Sequence, residues 1–124
     1  MKFFLICFAG AAGTGVRYLL SGFVNEFFAS ELPLGTFLVN AIGSFLIGCC
    51  MHVGLTLEAI HPDLRVILST GFLGGFTTYA SFNQETLLYF YTGDVLSGML
   101  NLISMSVLCL LMGVLGWYAV SCLL

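Results

Sequence analysis

Leu34 to Leu57 contains no Asp, Glu, Lys or Arg, and the same is true of Val66 to Gln84 and of Val95 to Leu124. A helix needs roughly 20 mostly apolar residues to cross the hydrocarbon layer of a bilayer, and each run is about that long or longer. Phe3 to Val24 adds a fourth, interrupted only by Arg17. After the first few residues, every acid except Glu85 falls in the connections Asn25–Pro33, Glu58–Arg65 and Thr92-Gly93-Asp94. The runs are continuously apolar, without the alternation of a membrane β-barrel. The pattern predicts an all-α membrane protein of four transmembrane helices, about 3–24, 34–56, 66–91 and 95–122, in one domain spanning 1–124.

Composition closes off other classes. Hydrophobic residues make up 60% of the chain and charged ones 7%, where a soluble domain carries about a quarter charged. A water-soluble enzyme and a disordered segment are excluded. Three Lys/Arg make no basic patch for nucleic acid. Lys2 and the apolar stretch behind it resemble the start of a signal peptide, but the run continues to Val24 and reads as a retained span. Cys7, Cys49, Cys50, Cys109 and Cys122 are scattered inside the spans and read as packing residues, with no metal spacing or disulfide framework. Lys2 and Arg65 fall on one side, which leans toward cytoplasmic termini. So small a bias is also what a chain inserting in both orientations carries.

Polar residues at membrane depth are satisfied or functional. Arg17 either snorkels to the interface or turns its charge to an internal vestibule. Asn40 either staples two helices or offers its two N–H donors to an anion. His52 reads as interfacial and His61 as a loop residue. Gly10, Gly13 and Gly15, Gly43 and Gly48, Gly71, Gly74 and Gly75, and Gly113 and Gly116 let helices approach closely, within one subunit or between two. The third span is the most unusual. Its Gly74-Gly75-Phe76-Thr77-Thr78 is poor material for an unbroken helix, and breaks at membrane depth persist where the freed backbone lines a cavity or ion site. Tyr79 and Phe82 share a face after the break. Their positive ring edges suit an anion, although spacing alone reads as core packing.

The run Gly71-Phe-Leu-Gly-Gly-Phe-Thr-Thr-Tyr-Ala-Ser-Phe-Asn-Gln-Glu85, with Gly10-Ala-Ala-Gly-Thr-Gly-Val-Arg17-Tyr18 and Leu34-Gly-Thr-Phe-Leu-Val-Asn40-Ala-Ile-Gly-Ser-Phe45, resembles the motifs of the CrcB/Fluc fluoride channels over essentially the whole chain. The resemblance implies a broken third helix and an antiparallel dual-topology homodimer, or a pair with a paralogous subunit, in the cell inner membrane. It implies passive fluoride export that gives fluoride resistance, and a structural sodium ion at the dimer interface. Carried over by position, Tyr79 and Phe82 line the pore, Asn40 lies beside the fluoride path, Ser81 supplies a pore hydroxyl, and Arg17 matches the helix-one arginine. Thr78, Asn101 and Ser104 are further candidate donors along the path. Gly74 and Thr77 match positions whose backbone carbonyls hold sodium. Three positions depart from the pattern: Tyr79 stands for a usual Phe, Ala80 for a usual Ser, and Met105 occupies the polar position one turn after Asn101.

Two other classes remain for comparison. A proton-coupled multidrug exporter of similar size needs a membrane-embedded carboxylate, for which Glu85 is the sole candidate. A purely structural subunit leaves Asn40 unexplained. With no nucleophile, acid–base pair or metal cluster, the sequence predicts no catalysis.

Overall fold

The computed structural model describes residues 1–124. The chain folds into α1 (Lys2–Phe28), α2 (Leu34–Met51), α3 (Pro62–Val66), α4 (Gly74–Phe76), α5 (Tyr79–Tyr91) and α6 (Val95–Leu123), with no strand. A π-helical turn, His52–Thr56, extends α2, and a π-helical stretch, Ile67–Leu73, joins α3 to α4. α1, α2 with its extension, and α6 are each long and apolar enough to cross a membrane. The remaining pass, third in chain order, is assembled from α3 through α5. The expected interruption lies at Thr77 (φ −80°, ψ 153°) and Thr78 (φ −145°, ψ 110°), both extended.

Local chemistry explains the boundaries. α1 outruns the expected end at 24, stopping where Ala29 turns left-handed (φ 42°) and donates its N–H to the Asn25 carbonyl. The third pass starts at Pro62, ahead of the expected 66. There the His61 Nδ1 accepts from the Asp63 N–H at 3.2 Å and proline occupies the first helical position. Gly93, at φ 84°, turns the chain from α5 into α6, and the Asp94 carboxylate caps α6 by accepting from the Ser97 N–H at 3.1 Å. Hydrogen bonding from the Ser97 side chain, and then from its backbone N–H, holds the Asp94 carboxyl below its usual range.

Two seams organise the bundle. α2 and α6 run parallel and approach so closely that a Cβ on Gly48 would strike the Gly113 carbonyl, and one on Gly116 the Phe45 carbonyl. α1 runs parallel to the third pass, with Gly13 under the Phe72 carbonyl and Gly75 against that of Gly10. Apolar burial gives no drive between helices in lipid, so such approach, with its dispersion contacts, is what holds them. Large apolar side chains face outward instead, among them Phe8, Phe23, Leu110 and Leu115.

At one end of the bundle Lys2 pairs with Asp63 at 2.6 Å, and the ammonium holds the Asp63 carboxyl below its usual range. Arg65 donates from Nη1 to the Gly54 carbonyl at 3.1 Å, a cation on the carbonyl end of the second pass. Lys2 and Arg65 thus share a side, as the sequence predicts. His52 sits at the end of α2, where the π-helical turn begins. It is buried, its ring edge-to-face with Trp117 at 4.8 Å between centroids, because that turn stays packed on α6.

Candidate functional site

The break frees specific backbone groups. In an unbroken helix the Thr78 N–H would bond the Gly74 carbonyl and the Ser81 N–H that of Thr77. Here the Thr78 N–H donates to Asn40 Oδ1 at 2.8 Å, and the Ser81 N–H donates to Thr78 Oγ1 at 3.1 Å. Thr78 Oγ1 in turn donates to Ser81 Oγ at 3.1 Å. The two residues expected to offer carbonyls to sodium, Gly74 and Thr77, are therefore among those released from their helical donors. Unwound carbonyls of this kind suit a hard cation, so the donor set fits the group.

Asn40 does more than the sequence alone reveals. Its Nδ2 donates to the Thr78 carbonyl at 3.0 Å, so the amide closes a two-point clasp on one peptide unit at the break. The second hydrogen of the same nitrogen faces only Met105 Sδ, at 3.8 Å. The stapling and donor readings of Asn40 are compatible, because one hydrogen staples and the other is left to a weak acceptor.

Asn40 lies in the wall of a groove of about 320 Å³ together with Thr77, Thr78, Tyr79 and Phe82. α6 closes the other wall with Met105, Ser106 and Cys109. Phe82 is 2% exposed and Tyr79 73%. Their rings meet edge to face, with centroids 5.4 Å apart and planes at 70°. α5 begins at this groove, so the positive end of its dipole lies there. The groove therefore combines an amide, two aromatic rings and a helix N-terminus, a set of groups that can favour a small anion.

The other expected residues are distributed around it. Asn101 and Ser104 line a second pocket, of about 300 Å³, with Phe37 and Tyr89, nearer the turn between α5 and α6. Asn101 is buried and donates from Nδ2 to Thr86 Oγ1 at 2.9 Å, and Thr86 Oγ1 donates to the Phe82 carbonyl at 2.9 Å. Its amide thus braces the helix that carries Phe82. Ser81 lines neither pocket. Arg17 does not snorkel outward: its Nε donates to the Gly75 carbonyl at 3.1 Å, placing a positive charge beside the break. Glu85 accepts from Thr36 Oγ1 at 2.5 Å, and its other oxygen has no partner. Sequence reasoning missed Thr86 altogether and read Cys109 only as a packing residue. Asn101, Met105 and Cys109 recur every fourth residue, a signal that puts them on one face of α6.

The family model described as CrcB-like protein, Camphor Resistance (CrcB), matches residues 4–117. A protein of Sorangium cellulosum (strain So ce56) is 47% identical over 115 residues, covering 93% of this chain and 91% of the relative. One from Anaeromyxobacter sp. (strain K) is 44% identical, covering 88% and 86%. One from Shewanella sp. (strain ANA-3) is 41% identical, covering 90% of each. All three are named fluoride-specific ion channel FluC. Likeness of that extent runs through all four passes and across the break, and it makes this chain a member of the CrcB family.

Proposed function

We propose that this chain forms a fluoride-selective channel that lowers cytoplasmic fluoride by passive export. It is a channel and not an enzyme. The observation that carries the reading is the interrupted third pass, whose α5 N-terminus, Tyr79–Phe82 pair and Asn40 clasp share one groove, in a chain whose relatives bear the name of fluoride channels.

Fluoride holds its hydration water tightly, and chloride competes by abundance. A narrow path must replace that water with hydrogen-bond donors and still let the ion leave, which several weak contacts in series accomplish. In this chain Asn40, Tyr79 and Phe82 supply the central contacts. Thr78 and Ser81 form the hydroxyl pair at the α5 N-terminus, and Asn101 and Ser104 extend the path toward the second pocket. Arg17, beside the break, raises the local potential for anions. No energy source is needed: an inside-negative membrane drives one anion outward by roughly 2.3 kcal/mol per 100 mV. Fluoride that enters as neutral HF and ionises inside is thereby released, which gives fluoride resistance.

One subunit leaves Tyr79 largely exposed and the groove open on that side. A second copy, antiparallel, or a paralogous subunit, would cover it in the cell inner membrane. Sodium, when bound, supplies a fixed positive charge at the centre of such a pair; the Gly74 and Thr77 carbonyls would hold it. The test is efflux from liposomes carrying the purified protein, read with a fluoride electrode and with chloride as comparison. Fluoride leaves and chloride is retained, and Phe82→Ile abolishes the flux without dissociating the dimer. Vesicles that hold fluoride as well as protein-free ones refute the proposal.

A further inference from the structure

Asn40 is 7% exposed and Met105 4%, so their contact is made away from water. Hydrogen-bond accounting at Asn40 leaves one donor in question. The carbonyl oxygen and one amide hydrogen are spent on Thr78. The other hydrogen has only a thioether at 3.8 Å, where an N–H to oxygen bond runs near 2.9 Å. The same sulfur also receives the Cys109 thiol at 3.7 Å, one helical turn further along α6. Two weak donors therefore converge on Met105 Sδ inside the groove.

We propose that Met105 is a specificity-determining residue for the anion path, its thioether a displaceable placeholder for the spare Asn40 hydrogen. The inference rests on the reading that the groove conducts fluoride. A thioether is the weakest acceptor a side chain of that length offers. It keeps the buried N–H from being wholly unpaired, yet yields it to an anion, whose charge makes the hydrogen bond about twice as strong as a neutral one. An acceptor with more negative charge at that point would keep the hydrogen and close the path. Hydrogen peroxide converts the thioether to such an acceptor: the O–O bond breaks, an S–O bond forms, a proton moves between the peroxide oxygens, and water leaves. The sulfoxide accepts strongly and donates nothing.

Two measurements on the intact protein test this. In proteoliposomes, peroxide followed by dithiothreitol, which restores reversibly oxidised thiols and leaves sulfoxide in place, slows wild-type fluoride efflux at least about tenfold, while Met105→Leu keeps its own rate. Equal slowing of both overturns the proposal. In detergent micelles, the Asn40 side-chain amide of the 15N-labelled protein is followed by NMR. Peroxide moves one of its two proton resonances downfield in wild type and neither in Met105→Leu. Titration with sodium fluoride reaches its midpoint at a concentration about three- to fivefold lower in Met105→Leu, which has no competing acceptor. A merely structural role for Met105 would not move that midpoint, and an unchanged midpoint with no peroxide-induced shift in wild type overturns the inference. Wild-type vesicles that fail to pass fluoride overturn the channel reading instead, and the peroxide shift at Asn40 still decides the Met105 contact.

Discussion

Replacing Gly48 with alanine adds one methyl group at the point where α2 rests on α6. That methyl lands on the Gly113 carbonyl and within 3.0 Å of the Trp117 nitrogen, both main-chain atoms of a continuous helix. Carbon and oxygen ordinarily meet at roughly 3.3–3.6 Å, and no side-chain rotation relieves the clash, so α6 must shift as a body. Overpacking of this kind costs about 1–3 kcal/mol. The shift also loosens the Gly116 approach to Phe45 and the hydrogen bond from Cys49 Sγ to the Gly116 carbonyl at 3.3 Å. Alanine returns about 1 kcal/mol in helix propensity, leaving a net loss of about 0–2 kcal/mol. Gly15→Ala, on a face of α1 with nothing within 4 Å of the added methyl, keeps the propensity gain alone. Both variants are followed by thermal denaturation in micelles through the fluorescence of Trp117, the chain's single tryptophan, which packs on His52 at the same seam. Gly48→Ala stabilised as much as Gly15→Ala would show that the seam is not the close approach described.

Three further outcomes are expected. Thr86→Val leaves the buried Asn101 amide without its acceptor and lowers stability by about 1–2 kcal/mol in the same denaturation assay; a neutral result means Asn101 has another partner. Asn40→Asp keeps the acceptor for the Thr78 N–H but presents oxygen to the Thr78 carbonyl, and it blocks fluoride efflux; a fully conducting mutant moves the path elsewhere. Lys2 holds the Asp63 carboxyl low, so the pair's small contribution is complete above the ordinary carboxylate range and is lost as pH falls through the lowered value. Stability curves of wild type and Asp63→Asn converge in acid, and curves that diverge there contradict the pairing.

The passes and the break were legible because both follow from local chemistry. Charge confined to the connections sets where the chain can cross, and Gly74-Gly75 followed by Thr77-Thr78 marks where a helix fails. Partners are a different matter. That Asn40 spends two of its groups on Thr78 depends on the crossing of α2 with the third pass, 38 residues away in sequence. The burial of His52 depends on a π-helical turn that keeps the end of α2 against Trp117, for which the residues His52-Val53-Gly54 give no warning. Asn101 and Ser104 line a pocket of their own, apart from the groove that holds Asn40. Their separation is set by the register of α6 along α2, and hydropathy carries no information on register.

The break and the path are coupled through one residue type. Holding Thr78 at two points takes a side chain with an acceptor and a donor side by side, and contributing to an anion path takes one donor more. Serine and threonine have a single hydrogen to give, so a hydroxyl that pins the peptide has none left. Aspartate has none at all when ionised, and glutamine carries its amide one methylene further from the backbone. Asparagine is the shortest side chain with an acceptor and two amide hydrogens, and its clasp distances of 2.8 and 3.0 Å leave little room for a longer arm. Conduction and stability are thus linked at Asn40. A substitution there that keeps the donor but loses the clasp disorders the α5 N-terminus, whereas one that keeps the acceptor and loses both hydrogens preserves a half-pinned break beside a dead path. Met105 is the neighbour placed to separate the two effects, because it touches only the hydrogen that the clasp does not use.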